Sequence, residues 1–60
     1  MILNLDFNSD IPIYTQIREQ IIKSIASGDL KINESLPSVR NMAEEIGVNL
    51  HTVNKSYNLL

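Results

Sequence analysis

The sequence predicts a mainly α-helical fold built from three helices. Apolar residues recur at helical spacing in two parts of the chain, and the first two helical patterns each end at a glycine, Gly28 or Gly47. The 60 residues suffice for one small domain, whose stability is marginal because so short a chain buries only about 60% of the surface that it exposes when unfolded. Its stability must therefore come from the 43% of hydrophobic residues or from a partner.

Residues 1–11 are predicted to form an extended N-terminal segment, and residues 12–60 the helical domain. Apolar residues alternate with polar ones in the first part, at Leu3, Leu5 and Phe7. Turn-forming residues follow at positions 8–10. Pro12 is then expected at the first position of a helix, where its missing N–H costs nothing.

The first helix is expected over about residues 12–27. One face carries Tyr14 and four isoleucines spaced four residues apart, Ile13, Ile17, Ile21 and Ile25. The opposite side is polar and carries Gln16, Glu19 and Lys23. Gly28 follows as a residue that can adopt the left-handed angles common after a helix. Leu30 and Ile32 could then form a strand-like stub before a turn at positions 33–35.

Two shorter helices complete the domain, over about residues 39–46 and 50–60. Ser38 and Asn49 are their expected N-caps, and Gly47 forms the corner between them. The apolar residues of the second helix follow the i, i+3, i+4, i+7 rule: Val39, Met42, Ala43 and Ile46. The apolar residues of the third helix that are expected to face inward are Leu50, Val53, Tyr57 and Leu60.

The outer face of the third helix carries small polar groups and one base. Two short helices joined by a glycine corner, the second with a polar outer face, are typical of a helix-turn-helix that inserts into a DNA groove. Asn can pair with adenine, Thr can contact a thymine methyl or a phosphate, and Lys can reach guanine or phosphate. A solvated helix face without function would show the same composition. The expected DNA-binding residues are Ser38, Arg40, Asn49, His51, Thr52, Asn54 and Lys55.

Arg40 and the net charge bear on this interpretation in opposite ways. Arg40 lies near the positive end of its helix, where the helix dipole disfavours a base. A base in such a position indicates an anionic partner. A surface arginine whose stem covers apolar area would look the same. The net charge is −2, and the half from Lys31 onward is neutral, with three bases and three acids. Few phosphates can therefore be neutralised.

Catalysis, metal binding and membrane insertion have no support in the sequence. Cysteine is absent, His51 is the single histidine, and Glu44 and Glu45 point about 100° apart on a helix. There is no glycine-rich phosphate loop, so neither an active site nor a cofactor is expected. No apolar run is long enough to span a bilayer, and the start of the chain is unlike a signal peptide, so a cytoplasmic location is expected.

Several ordered motifs together resemble the GntR family of bacterial transcriptional regulators, in particular its YtrA-like branch. They are Ile-Pro-Ile-Tyr-Thr-Gln-Ile from Ile11, Ser-Gly-Asp-Leu from Ser27, Leu-Pro-Ser-Val-Arg from Leu36, Met-Ala-Glu-Glu-Ile-Gly-Val-Asn from Met42, and Thr52-Val53. The chain departs from the family's usual pattern in two places. Asn54 and Lys55 stand where many members have arginines, and Ile-Asn-Glu from Ile32 replaces a Pro-Gly-Asp turn.

The resemblance implies a winged helix-turn-helix with the third helix in the major groove of operator DNA. In this resemblance, Arg40 corresponds to the basic residue that the family carries early in its second helix. The start and the outer face of the family's recognition helix correspond to Asn49, His51, Thr52, Asn54 and Lys55. It also implies a two-stranded wing, and a C-terminal region for dimerisation or a small-molecule effector, beyond Leu60. The chain is accordingly expected to be a fragment of a homodimeric regulator.

Two other functions stay open on the sequence alone. The same exposed faces could serve a protein-interaction or dimerisation domain. The chain could also be the N-terminal module of a regulator fused to an aminotransferase-like domain that uses pyridoxal phosphate.

Overall fold

A computed structural model describes residues 3–30 and 36–60. It contains three helices, α1 (Ile13–Ala26), α2 (Val39–Ile46) and α3 (Leu50–Asn58), and no strand within the described residues. The prediction of a mainly α-helical, three-helix fold is confirmed. Leu30 lies in irregular backbone. The rest of the predicted strand-like stub and the turn at positions 33–35 lie outside the described residues.

Helix α1 is one residue shorter at each end than predicted. Pro12 has an extended ψ of 145° and so precedes the helix as its N-cap. Its carbonyl accepts from the N–H groups of Thr15 and Gln16, and these bonds start the helix. At the other end Ser27 is the C-cap and Gly28 has a φ of +82°. This left-handed residue turns the chain back so that Leu30, only 6% exposed, reaches the core.

Helix α2 has the bounds, the N-cap and the terminal glycine that the sequence predicts. The Ser38 hydroxyl oxygen accepts from the N–H of Asn41 at 3.1 Å. Gly47 is left-handed, with φ +66° and ψ +36°, and its N–H donates to the carbonyl of Ala43. The N–H of Val48 donates to the same carbonyl, which closes the corner before α3.

The core joins all three helices through α3, which packs against both α1 and α2. Its fully buried side chains, together with Leu30, are Ile17, Ile21, Met42 and Val53. The predicted inward face of α1 is confirmed at its two central isoleucines, and Ile13 and Ile25 are half-buried beside them. Because α3 contacts both other helices, its orientation is fixed from two sides.

The N-terminal segment is held on α1 by two glutamine side chains. Gln20 accepts from the N–H of Asn4 at 2.8 Å and donates to its carbonyl at 2.7 Å. Gln16 pairs in the same way with Asp6, at 2.8 and 2.9 Å, and its amide also donates to the carbonyl of Ile11 at 2.8 Å. Gln16 was predicted on the polar side of the first helix, opposite the isoleucines, and it is half-buried against this segment, whereas Glu19 is exposed.

The spacing of a helix and of an extended chain explains this double pairing. Residues four apart on a helix are separated by about 6 Å along its axis. Alternate residues of an extended chain are separated by about 6.6 Å. The two carboxamides therefore meet every second peptide of the segment, while Leu3 and Leu5 pack against the core. Phe7, which continues the alternation, is instead 67% exposed because the chain turns there.

Candidate nucleic-acid interface

Helix α3 has one buried and one exposed side. Val53 and Ser56 are completely buried. His51, Asn54 and Lys55 are exposed on the other side, as predicted, and Thr52 is half-buried at the edge between the two. Projected at about 100° per residue, the three exposed side chains span roughly 100° of the helix surface. This surface, which we call the α3 polar face, presents an imidazole, a carboxamide and an ammonium group to solvent.

Two of the four apolar residues expected to face inward from α3 do not. Leu50 and Leu60 are each 41% exposed, whereas Val53 is buried and Tyr57 half-buried. Leu50 is the first residue of the helix, and Val48 in the preceding turn packs against the core instead. Leu60 lies beyond the last helical residue, Asn58, so the helical spacing that predicted its direction no longer applies.

The start of α3 is fixed by Asn49, which caps the helix as predicted. Its side-chain oxygen accepts from the N–H of His51 at 2.8 Å, and its carbonyl accepts from the N–H groups of Thr52 and Val53 at 3.1 Å each. The cap uses the acceptor of the carboxamide and leaves its two N–H donors. Asn49 therefore fixes the start of α3, and its two N–H donors lie near the positive end of the helix.

Two hydroxyl groups of α3 bind the helix to its neighbours. The buried Ser56 hydroxyl lies 2.9 Å from the carbonyl of Tyr14 on α1 and 3.1 Å from that of Thr52 on α3. The Tyr57 hydroxyl donates to the carbonyl of Pro37, just before α2, at 2.6 Å. Burial, with Glu45 as a lesser cause, raises the pKa of the Tyr57 hydroxyl. The first turns of α2 and the body of α3 are thus held in one arrangement.

The variant Tyr57→Phe is expected to lower the free energy of unfolding by about 1 kcal/mol, because it removes one partly buried hydrogen bond. Since folding raises the pKa of this phenol, its contribution is complete below about pH 10, where the unfolded phenol titrates, and declines as the pH rises further. Urea unfolding of both proteins between pH 7 and pH 11 measures the difference. If the difference in unfolding free energy between the two proteins stayed constant from pH 7 to pH 11, the stabilising role of the protonated Tyr57 hydroxyl would be contradicted.

The two remaining predicted contact residues lie at the start of α2. Ser38 is exposed, and its oxygen uses one lone pair as the N-cap, so its O–H hydrogen and its second lone pair are left for a ligand. Arg40 is exposed in the first turn, which contains no acidic residue. Within the described residues the structure gives one ion pair, between Arg18 and Glu19, and it does not involve Arg40.

Lys55 has a neighbour that the sequence did not reveal. Its ammonium nitrogen lies 3.9 Å from the centroid of the Tyr14 ring, well inside the range of a cation–π interaction. The two residues are 41 positions apart, so no local spacing could show the contact. The nearby end of α3 is also held by α1, since the Arg18 guanidinium donates to the carbonyl of Leu59 at 3.1 Å.

Other kinds of site receive no support from the described part of the chain. Within residues 3–30 and 36–60, no three His, Asp or Glu side chains are grouped so that they could hold a metal ion. None of the helices in these ranges is long and apolar enough to cross a membrane. The α3 polar face and the start of α2 therefore remain the candidate site.

The chain matches the family described as bacterial regulatory proteins, gntR family, over residues 13–60. It belongs to the GntR family. Its three helices are the helix-turn-helix DNA-binding domain of a transcriptional regulator. The family resemblance noted from the sequence motifs is thereby confirmed.

Individual relatives agree with this assignment. The chain is 52% identical to YtrA from Sulfolobus acidocaldarius, a GntR-family transcription factor of known structure, with a TM-score of 0.91 over 100% of this chain and 64% of that one. It is 40% identical over 55 residues to the HTH-type transcriptional repressor YtrA of Bacillus subtilis, covering 92% of this chain and 42% of the relative. It is also 40% identical over 58 residues to the probable rhizopine catabolism regulatory protein MocR of Rhizobium meliloti, covering 97% of this chain and 12% of the relative.

The relatives share this domain but differ in total length. The chain spans less than half of the two curated relatives and 64% of the solved one. Its identity to the two curated relatives is the same, 40%, although it covers 12% of one and 42% of the other. Similarity in this domain therefore identifies a DNA-binding module and does not fix what accompanies it.

Proposed function

We propose that this domain recognises a specific DNA sequence by placing the α3 polar face in the major groove. The observation that carries the proposal is the exposure of His51, Asn54 and Lys55 on a helix whose other side is completely buried at Val53 and Ser56. A helix held rigidly from one side can present its other side to base edges in a fixed register. The membership of the GntR family supports this use of the face.

The seven predicted contact residues divide into anchoring and reading roles. Lys55 and Arg40 carry the positive charges that bind backbone phosphates. His51, Thr52 and Asn54 offer donors and acceptors to base edges, and the Asn carboxamide suits adenine. Ser38 and Asn49 cap helices whose N-termini favour phosphate, and each keeps a donor for it.

The intact regulator is proposed to act as a homodimer on a two-fold-symmetric operator. Each copy of the domain would occupy one half-site, so that operator symmetry matches protein symmetry. The chain spans 64% or less of the relatives described above, which leaves room in such proteins for a region that dimerises or binds an effector. We also propose a cytoplasmic location, because the chromosome of a cell without a nucleus lies there.

Removal of either proposed phosphate anchor should reduce the salt dependence of DNA binding. The ligand is a labelled duplex that the full-length protein selects from a random-sequence pool, and binding is measured between 50 and 300 mM salt. Arg40→Ala and Lys55→Ala should each flatten the slope of log K against log salt by about 0.9, because each releases about one counterion fewer. Unchanged slopes would remove both residues from the interface.

Two further variants control for charge and for base reading. Lys23→Ala removes an exposed base from the far end of α1 and should leave the slope unchanged. Asn54→Ala should weaken binding to the selected duplex by about 1–3 kcal/mol, but weaken binding to an unrelated duplex much less. Equal losses on both duplexes would show that the α3 polar face does not read the sequence.

A further inference from the structure

We propose that Tyr14 is a positioning residue for DNA binding: its ring holds the Lys55 ammonium in place for a backbone phosphate. The inference rests on the proposed function, because it takes Lys55 to be a phosphate anchor. Tyr14 lies on α1, outside the helix-turn-helix formed by α2 and α3, and was not among the predicted contact residues.

Tyr14 contacts two consecutive residues of α3. Its backbone carbonyl lies 2.9 Å from the hydroxyl of Ser56, which is completely buried. Its ring lies 3.9 Å from the ammonium nitrogen of Lys55. The backbone contact fixes where the Tyr14 backbone stands relative to α3, and the half-buried ring extends from it beside the neighbouring lysine.

The contact with Tyr14 restricts a side chain that is otherwise flexible. A lysine side chain has many rotamers, and ordering one against a phosphate costs conformational entropy. Lys55 is exposed, and in the described structure its ammonium is held over the ring rather than extended into solvent. Part of that entropy is therefore lost before DNA arrives, which strengthens binding.

The Tyr14 ring and a phosphate do not compete for the same part of the Lys55 ammonium group. An ammonium has three N–H donors, and an aromatic face attracts the cation without consuming them all. The donors that point away from Tyr14 remain available to a phosphate oxygen. Lys55 can thus keep its contact with Tyr14 in the complex, so that the ring adds to affinity.

The test compares substitutions of Tyr14 in the presence and absence of the lysine. Tyr14→Leu keeps apolar bulk but removes the aromatic face, and should weaken binding of the full-length protein to its selected duplex about two- to fivefold. Tyr14→Phe keeps the face and should bind like the wild type. In the Lys55→Met background, Tyr14→Leu should have no further effect, because there is no ammonium left to position.

The outcomes separate this inference from the proposed function. If Lys55→Met weakens binding but Tyr14→Leu does not, Lys55 binds DNA without help from the ring and the inference fails alone. If Tyr14→Leu weakens binding equally in both backgrounds, its role is general and the inference also fails. Tighter binding by Tyr14→Leu would show that ring and phosphate compete, which overturns it. If Lys55→Met itself has no effect, the proposed anchoring role of Lys55 fails first.

Discussion

The variant Ile21→Ala is expected to lose a large part of the stability of the domain. Ile21 is completely buried in the centre of the core. Truncating a buried isoleucine to alanine costs about 2–5 kcal/mol through lost apolar contact and the cavity left behind. A domain of this length has a total stability of roughly 3–9 kcal/mol. Urea unfolding followed by circular dichroism should therefore show a much lower midpoint, or a largely unfolded protein before any urea is added.

The neighbouring isoleucine provides a matched control. Ile22 is on the same helix but is 37% exposed. Replacing it with alanine removes the same atoms and changes helix propensity in the same way. Because the side chain is exposed, the cost in unfolding free energy should stay within about 1 kcal/mol. The difference between the two variants isolates burial. Equal losses would mean that the face of α1 packed against the core has been assigned incorrectly.

Local sequence patterns were sufficient to predict the three helices of this domain and the N-caps of α2 and α3. The isoleucine spacing of α1 and the hydroxyl of Ser38 act within a few residues of the chain, and these short-range effects appear directly in the sequence. The left-handed angles of Gly28 and Gly47 follow for the same reason, since few other residues adopt them readily. Helical periodicity wrongly predicted that Leu60 faces inward, because α3 ends at Asn58 and the helical spacing does not extend to Leu60.

The contacts between distant parts of the chain could not be predicted in this way. The pairing of Tyr14 with Lys55 depends on how α1 and α3 pack, which helical spacing within either helix does not determine. The docking of the N-terminal segment is an intermediate case. Two glutamines four residues apart on a helix, preceded by an alternating extended segment, form a recognisable pattern, but their pairing became evident only from the structure.

The variant Gln16→Glu is expected to release the N-terminal segment at neutral pH. The Gln16 amide donates to the carbonyls of Asp6 and Ile11, and its oxygen accepts from the Asp6 N–H. A carboxylate can still accept but cannot donate, and it places negative charge against two carbonyl oxygens. We expect a loss of about 1–3 kcal/mol in the stability of the docked segment. Faster hydrogen exchange of the Asn4 and Asp6 amides, resolved by NMR, measures this loss.

The pH dependence of the same variant identifies the missing donor as the cause. The two carbonyls favour the protonated form of the new carboxyl, so its pKa is higher in the docked state than the ordinary value of about 4.3. The loss should therefore be small below that value, where the neutral acid can donate, and should grow as the pH rises through the docked-state pKa. Gln16→Ala also removes the donors but introduces no titrating group, so its loss should not recover in acid relative to the wild type. Equal pH profiles for the two variants would show that hydrogen bonding by Gln16 does not hold the segment, and would leave the packing of Leu3 and Leu5 as its remaining attachment.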